Sequence, residues 1–406
     1  MSEEKNVPNI RFKGFTDPWE QRKLGDVSSK VTEKNKSKKY TETLTNSAEY
    51  GIINQYAFFD KSISNSNSIA SYYVVKRDNF VYNPRISTAA PVGPINRNRL
   101  NIIGIMSPLY YVFEATNIDK SYLEYYFKTT KWHNFMKIEG NTGARSDRLA
   151  IKDKVLVKMP IPYPKVKEQK QIGELFESID TTIALHQQKV TQLKELKKLL
   201  MQKIFDQEWR FRGFTDPWEQ RKLGNVGEVH SGVGFPEIEQ GGTEGIAFYK
   251  VSDMNIVGNE SVMKKAHNYV NTEQIEKRNW KIIKHVPAII FAKVGAAIML
   301  NRKRIVQSPF LIDNNIMTYI FDKSWDVFFG KTLFDTINLP KYAQTGALPS
   351  YNASDIKNIK VLIPNKNLQT KIGVLFKKID TTIALHQQKV DQLKELKKYL
   401  MQNLFV

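Results

Sequence analysis

The chain has no cysteine. That excludes a disulfide frame and a thiolate metal site, and it suits a reducing, cytoplasmic setting. Histidine is scarce. His133, His186, His230, His267, His285 and His386 are scattered, with none at metal-ligand spacing, so no metal is expected in this chain. No run of 18 apolar residues occurs; AIIFAKVGAAIML (288–300) is broken by Lys293 and reads as buried strand. The opening residues, MSEEKNVPNIRFKG, are acidic and then polar, unlike a signal peptide, so no membrane association is expected. Acidic residues are in deficit, 41 Asp and Glu against 61 Lys and Arg, for a net charge of +20. Such an excess draws polyanions, and nucleic acid is the commonest soluble one. Charge alone leaves a merely solvated basic surface open.

What is present is present twice. Residues 11–25 read RFKGFTDPWEQRKLG and residues 210–224 read RFRGFTDPWEQRKLG. Residues 172–205 (IGELFESIDTTIALHQQKVTQLKELKKLLMQKIF) return at 372–405 as IGVLFKKIDTTIALHQQKVDQLKELKKYLMQNLF. Between these shared frames lie two inserts with little evident similarity. Identical frames suit a symmetric partner surface, and unlike inserts suit two unlike targets. The 406 residues, 41% apolar, can form two or three domains with real cores.

TDPWEQRKLG reads as a brief helix. Asp17 can cap it, Pro18 suits its first position, Glu20 completes a capping box, and Gly25 can end it in the left-handed conformation. Asp216, Pro217, Glu219 and Gly224 repeat the pattern. Phe15, Trp19, Phe214 and Trp218 need packing, either within their own domain and the long helix or on a partner subunit.

The long repeat predicts a coiled-coil helix of about 50 Å. Steps of four and three place Ile172, Phe176, Ile179, Ile183, His186, Val190, Leu193, Lys197, Leu200 and Ile204 on one seam. The second copy gives Ile372, Phe376, Ile379, Ile383, His386, Val390, Leu393, Lys397, Leu400 and Leu404. The two histidines read as polar register-setters. Parallel pairing would face Lys194, Lys197 and Lys198 with Lys394, Lys397 and Lys398. Antiparallel pairing sets the second cluster against Glu174, Glu177 and Asp180, with less gain at the other end, where Val374, Lys377 and Asp380 stand. It would also place the inserts at opposite ends of a rod about a pseudo-twofold axis, suited to half-sites about one DNA turn apart.

The inserts have the texture of β structure with long loops. NFVYN (79–83), IIGIMSPLYYVFE (102–114), AIIFA (288–292) and IMTYIF (316–321) read as strands. A faint match links INRNRL (95–100) with LNRKRI (300–305). Arg97, Arg99, Arg302 and Arg304 can grip phosphates or guanine edges and Asn98 can pair with adenine, with Lys293, Asn301 and Lys303 as neighbouring candidates. A solvated hairpin tip is the plainer reading. Arg85 in YNPRIST and Arg145 with Arg148 in TGARSDRL are further candidates. The matching loop of the second half, QTGALPSYN (344–352), offers Gln344, Tyr351 and Asn352 instead.

Catalytic motifs are missing. Asn83-Pro84-Arg85 lacks the second proline and aromatic of an adenine-methyltransferase motif, and no phosphate-binding Gly-x-x-x-x-Gly-Lys-Ser/Thr occurs. SGVG (231–234) is too short for a nucleotide site, and Glu195-Leu196-Lys197 lies on the coiled coil.

Together, the duplicated GFTDPWEQRKLG, the insert-closing VKMPIP and VLIP segments and the IDTTIALHQQKVxQLKELKK helix resemble the specificity (S) subunit of type I restriction-modification systems, the HsdS family, over the whole chain. The resemblance implies an α+β fold: two mixed target-recognition domains with β-rich cores, separated by a long antiparallel two-helix coiled coil. Its boundaries here would be 1–164 and 209–364 for the recognition domains, with spacer helices at 165–208 and 365–406. It implies a non-catalytic chain of bacterial defence that reads a bipartite, asymmetric site on double-stranded DNA. It also implies two modification subunits that methylate adenine and restriction subunits that translocate and cut, with S-adenosylmethionine, ATP and Mg carried by these partners. The residues alone leave open a self-sufficient enzyme, a non-enzymatic two-headed scaffold, and a DNA-binding protein outside restriction-modification.

The charge generates a direct expectation. Each neutralised phosphate releases counterion, so log affinity for duplex DNA should fall with log salt by about 0.9 per contact. Titration from low to moderate salt checks this, and a slope near zero would exclude a phosphate-dominated interface.

Overall fold

The computed structural model describes residues 6–56, 68–141, 146–344 and 348–406. The chain divides into two compact units, residues 1–186 with 389–406 and residues 187–388.

Each unit is organised about a four-stranded antiparallel sheet. In the first its order is Ser28–Lys30, Tyr111–Ala115, Asn79–Tyr82, Ile95–Arg97. In the second it is Gly227–Ser231, Ile316–Phe321, Ala288–Ala292, Lys303–Val306. Side chains alternate between faces along a strand, and here both faces are covered. Phe80, Tyr82, Tyr111 and Phe113 join the core that holds the frame, while Val81 and Val112 join a smaller cluster with Leu44, Ile52, Val75 and Met106. Ile289, Phe291, Met317 and Tyr319 likewise face the second frame, and Ala288, Ile290 and Ile316 face away from it. Two-sided burial explains why these segments read as continuous apolar runs. IIGIMSPLYYVFE divides into two strands, Gly104–Met106 and Tyr111–Ala115, and AIIFAKVGAAIML ends as strand at Ala292 before Gly295 takes φ +80°.

The repeated opening is not the expected helix. Glu20–Lys23 is a strand paired with Pro160–Tyr163, and Glu219–Lys222 pairs with Lys360–Ile363. Pairing with the insert-closing segment outweighs the local capping signals. Asp17 turns to Lys165 and Asp216 accepts from Asn365, so both aspartates hold the entry to a long helix instead of capping a short one. Gly25 and Gly224 do not take positive φ. A Cβ there would lie 3.1 Å from Val157 Cβ or 2.8 Å from Lys357 Cβ, so close approach requires glycine. Within the two openings the left-handed glycines are Gly14 (φ +97°) and Gly213 (φ +84°). Opening and helix are further joined in the first unit by Arg11, bidentate to the fully buried Glu168 at 2.7 and 2.9 Å. The second unit has buried Leu368 near that helix start, and Arg210 remains exposed.

The long helices run Val166–Phe205 and Lys366–Asn403. Every seam position is buried or half-buried, His186 and His386 among the half-buried. In the first unit Phe176 stacks on Phe405 and Asp180 meets Lys397 at 2.5 Å, so the segments run antiparallel. In the second, Lys197 meets Asp380 at 2.6 Å, and Ile204 joins the core of Ile372 and Phe376. The charge preference is therefore two-sided, one Lys–Asp pair in each unit. Glu177 is drawn elsewhere, accepting from Ser121 and Arg99 at 2.6 Å.

Two features tie insert to frame identically in both units. Gln169 is buried, its Oε1 accepting from the Asp119 amide (2.8 Å) and its Nε2 donating to the Pro164 carbonyl (2.7 Å). Gln369 does the same with Asp326 (2.9 Å) and Pro364 (3.0 Å). The two aspartates cap the helices Lys120–Phe127 and Val327–Thr336. The second feature is aromatic. Trp19 meets Tyr122 edge-on, and Tyr122 packs on Phe405; Trp218 meets Phe329 edge-on, and Phe329 stacks on Phe205. The tryptophans thus pack within their own units.

Phe405 is 2% exposed. Phe405→Ala should destabilise the first unit by about 3–5 kcal/mol, and Phe205→Ala should loosen the second. Hydrogen exchange resolved by segment should show faster exchange throughout the matching unit; exchange confined to the helix end would contradict this.

Candidate nucleic-acid interface

INRNRL and LNRKRI both contribute the edge strand of their sheet, but the likeness is not positional. Arg97 stands opposite Phe80 and Ile305 opposite Ile289, while Phe80 and Ile289 occupy equivalent places against Phe113 and Tyr319. Each edge is covered by a helix, Lys120–Phe127 or Val327–Thr336, which shields its unpaired groups and draws its cations inward. Arg97 is bound to Asp78 at 2.6 Å and Ser121 at 3.1 Å, its side chain 9% exposed. Arg99 lies 2.6 Å from both Glu124 and Glu177. Burial lowers its pKa, but the two carboxylates outweigh that and hold it above the ordinary value. Asn98 is wholly buried, donating to the Lys76 carbonyl and accepting from the Leu100 amide. Its amide has no edge to offer a base.

In the second unit Lys303 is buried, Nζ donating to Asn301 Oδ1 and the Ile337 carbonyl, both at 2.7 Å. Burial, with Lys331 nearby, pushes its pKa down to about 8 against partial support from Asp335. Asn301 takes φ +50° and also accepts from the Leu339 amide. Arg304 donates to the Lys303 carbonyl, and burial lowers its pKa. Arg302 donates to Asn255. Tyr351 is in the core, edge-on to Phe291, and Asn352 caps the helix Ala353–Lys357. Lys303 and Tyr351 are enclosed by the fold and present no side chain to DNA, whereas Arg302, Arg304 and Asn352 keep internal partners from partly or fully exposed positions.

The remaining candidates converge on one place in each unit. Beyond the strand Asn79–Tyr82, residues 84–86 pair with 147–149: Leu149 donates to the Pro84 carbonyl and Ile86 to the Asp147 carbonyl. Arg85 and Arg148 bridge there, 3.7 and 4.0 Å from one Asp147 oxygen. Exposed pairs this long contribute about 0–1 kcal/mol, so both arginines can exchange Asp147 for phosphate or a base edge. Arg145 lies outside the described residues. Beyond Ala288–Ala292, Tyr351 donates to the Lys293 carbonyl and Gly295 to the Pro349 carbonyl, forming the corresponding pair of loops. Lys293 Nζ sits 3.3 Å from Ser231 Oγ, and exposed Gln344 donates to Asp355 at 3.2 Å. Sequence reading missed the neighbouring Lys250, Ser252 and Asn315, which lie far apart in sequence within an insert that has no internal copy.

A repeated frame carrying two unlike polar loop surfaces defines a two-headed recognition protein. The pattern of the type I restriction modification DNA specificity domain matches residues 16–195 and again 215–395, and the chain belongs to that family as a specificity subunit of a type I restriction-modification system. It is similar to the MjaVIII type I restriction enzyme specificity subunit of Methanocaldococcus jannaschii, 21% identical over 73% of this chain and 72% of the relative. The MjaIX specificity subunit of that organism is 22% identical over 72% and 70%. The fold matches the type I S subunit crystal structure from M. genitalium at TM-score 0.65 and 13% identity, covering 98% of this chain and 99% of that one. A chain solved in work on complex assembly and conformational transition of the type I system matches at TM-score 0.52 and 14% identity, over 94% and 96%. Among the described residues no helix is long and apolar enough to cross a membrane, and no acidic or histidine cluster could hold a metal ion.

Lys303 supplies a pH test. Its folded pKa, about 8, lies below the ordinary lysine value, so the unfolded chain binds the extra proton between the two. The stability lost to this group below pH 8 should return progressively as pH rises toward about 10.5. Relative to the parent, Lys303→Met should therefore lose ground from pH 7.5 to 10 in denaturant unfolding. A difference independent of pH would show that Lys303 stays charged.

Proposed function

We propose that each unit reads one part of a bipartite, asymmetric site on double-stranded DNA, and that the repeated frames dock two modification subunits that methylate adenine. The observation that carries this is the contrast between the repeated attachment, Gln169–Asp119 and Gln369–Asp326, and the unlike surfaces attached by it: Arg85 and Arg148 in one unit, Lys293 and Gln344 in the other. Shared docking is supported by a second apolar set on each long helix. Leu185, Leu196 and Leu199 are 60%, 45% and 44% exposed, and Leu385, Leu396 and Tyr399 are 61%, 46% and 55% exposed. Two near-identical apolar faces suit two copies of one partner. In this reading the chain is non-catalytic and acts in the cytoplasm. S-adenosylmethionine, ATP and Mg belong to the modification and restriction subunits, whose chemistry would require motifs that this sequence lacks.

Replacing residues 27–160 with the first insert of another specificity subunit should change one half-site only. Methylated adenines mapped across a genome, with the modification subunit co-expressed, check this. Simultaneous change of both half-sites would contradict independent readers, and methylation by the chain alone would contradict a non-catalytic role.

A further inference from the structure

One turn is built alike in both units but carries unlike side chains. In the first unit the Tyr110 amide donates to the Ser107 carbonyl and the Leu109 amide to Ser107 Oγ (3.4 Å). In the second the Ile316 amide donates to the Asp313 carbonyl and the Asn315 amide to Asp313 Oδ1 (3.2 Å). Both turns lead into the equivalent central strand, since Tyr82 stands opposite Tyr111 where Phe291 stands opposite Met317. Leu109 and Asn315 thus hold one topological position, and both are exposed, Leu109 by 58%. A large apolar side chain kept in solvent on a positively charged protein gains nothing for folding.

The second turn is firmly held. The Asn315 carbonyl accepts from the Lys293 amide at 2.7 Å, and the Asp313 amide donates to the Tyr249 carbonyl at 3.0 Å. Asp313, 5% exposed, also accepts from Asn315 Nδ2 at 3.2 Å. That bond orients the amide and leaves its oxygen and second N–H for an outside partner. The turn borders a recess of about 380 Å³, lined also by Lys250, Ser252, Val294 and Ala297. Lys293 of the loop surface described above is bonded directly to Asn315.

We infer that this turn reads a base edge in each unit: Asn315 pairs with an adenine of the second half-site, and Leu109 packs on a thymine methyl of the first. The inference rests on the proposal that the units read separate half-sites. Adenine presents an N6 donor and N7 acceptor in the major groove, matching the oxygen and N–H of an oriented asparagine. Thymine presents a methyl group there, the one major-groove feature that an aliphatic side chain distinguishes. Asp313 acts as a positioning residue through Asn315.

The test uses the full chain in complex with its modification subunit. Genome-wide methylation and affinity for singly substituted duplexes are compared for the parent, Asn315→Ala, Asn315→Asp and Leu109→Ala. Both Asn315 variants should relax one adenine of the second half-site, with discrimination falling roughly 5- to 150-fold, and leave the first half-site intact. Asn315→Asp keeps the size and tests the donor. Leu109→Ala should relax one thymine of the first half-site only. Unchanged discrimination, or loss in the wrong half-site, overturns the inference while the two-part reading stands. A parent complex without a two-part site overturns both.

Discussion

Each unit's core is closed by a ring at the end of a long helix: Phe205, its last residue, in the second and Phe405, two residues past Asn403, in the first. The ring packs on an aromatic of the insert's last long helix, Tyr122 or Phe329, which packs in turn on the tryptophan of the repeated opening. Opening, insert and helix end therefore meet at one aromatic cluster. Without the helix end, that cluster would face water with several large rings uncovered. The helix spanning each seam brings the ring at its end to this position.

The central sheet separates what is shared from what is particular. One face packs on the frame, with Trp19, Ile172 and Phe176 in the first unit and Ile204, Ile372 and Phe376 in the second. The other faces residues of the insert alone. Variation on the far side of the sheet leaves the aromatic cluster undisturbed. The turns carrying Leu109 and Asn315 and the loops carrying Arg148 and Lys293 adjoin strand ends, where rigid strands hold them and sequence change is tolerated.

The coiled-coil seam was legible in the sequence because its period is set by helix geometry alone. The strands of the inserts were legible as apolar runs. The opening was misread as helix because Asp17, Pro18 and Glu20 satisfy local capping rules, whereas their fate depends on pairing with residues some 140 positions away, Pro160–Tyr163. The internal pairing of the INRNRL arginines was illegible for a related reason. Nothing local reveals that Asp78, Glu124 and Glu177 will converge on Arg97 and Arg99. Asn315 was invisible because a single polar residue in a turn acquires meaning only beside Asp313, Lys293 and the equivalent Leu109. Gln169 and Gln369 were within reach, lying just upstream of the recognised repeat.

The frames also differ in how tightly their openings are fastened. In the first, Arg11 is bolted to Glu168 within the protein; in the second, Leu368 is in the core and Arg210 reaches only the Thr215 carbonyl and Gln207. Residues 206–217 are held instead by Phe211 and Phe214 against the core and by Asp216 on Asn365. A segment with exposed polar contacts opens at lower cost than one closed by a buried ion pair. The opening of the first frame is therefore the more firmly fastened of the two, a difference that two nearly identical stretches of sequence do not advertise.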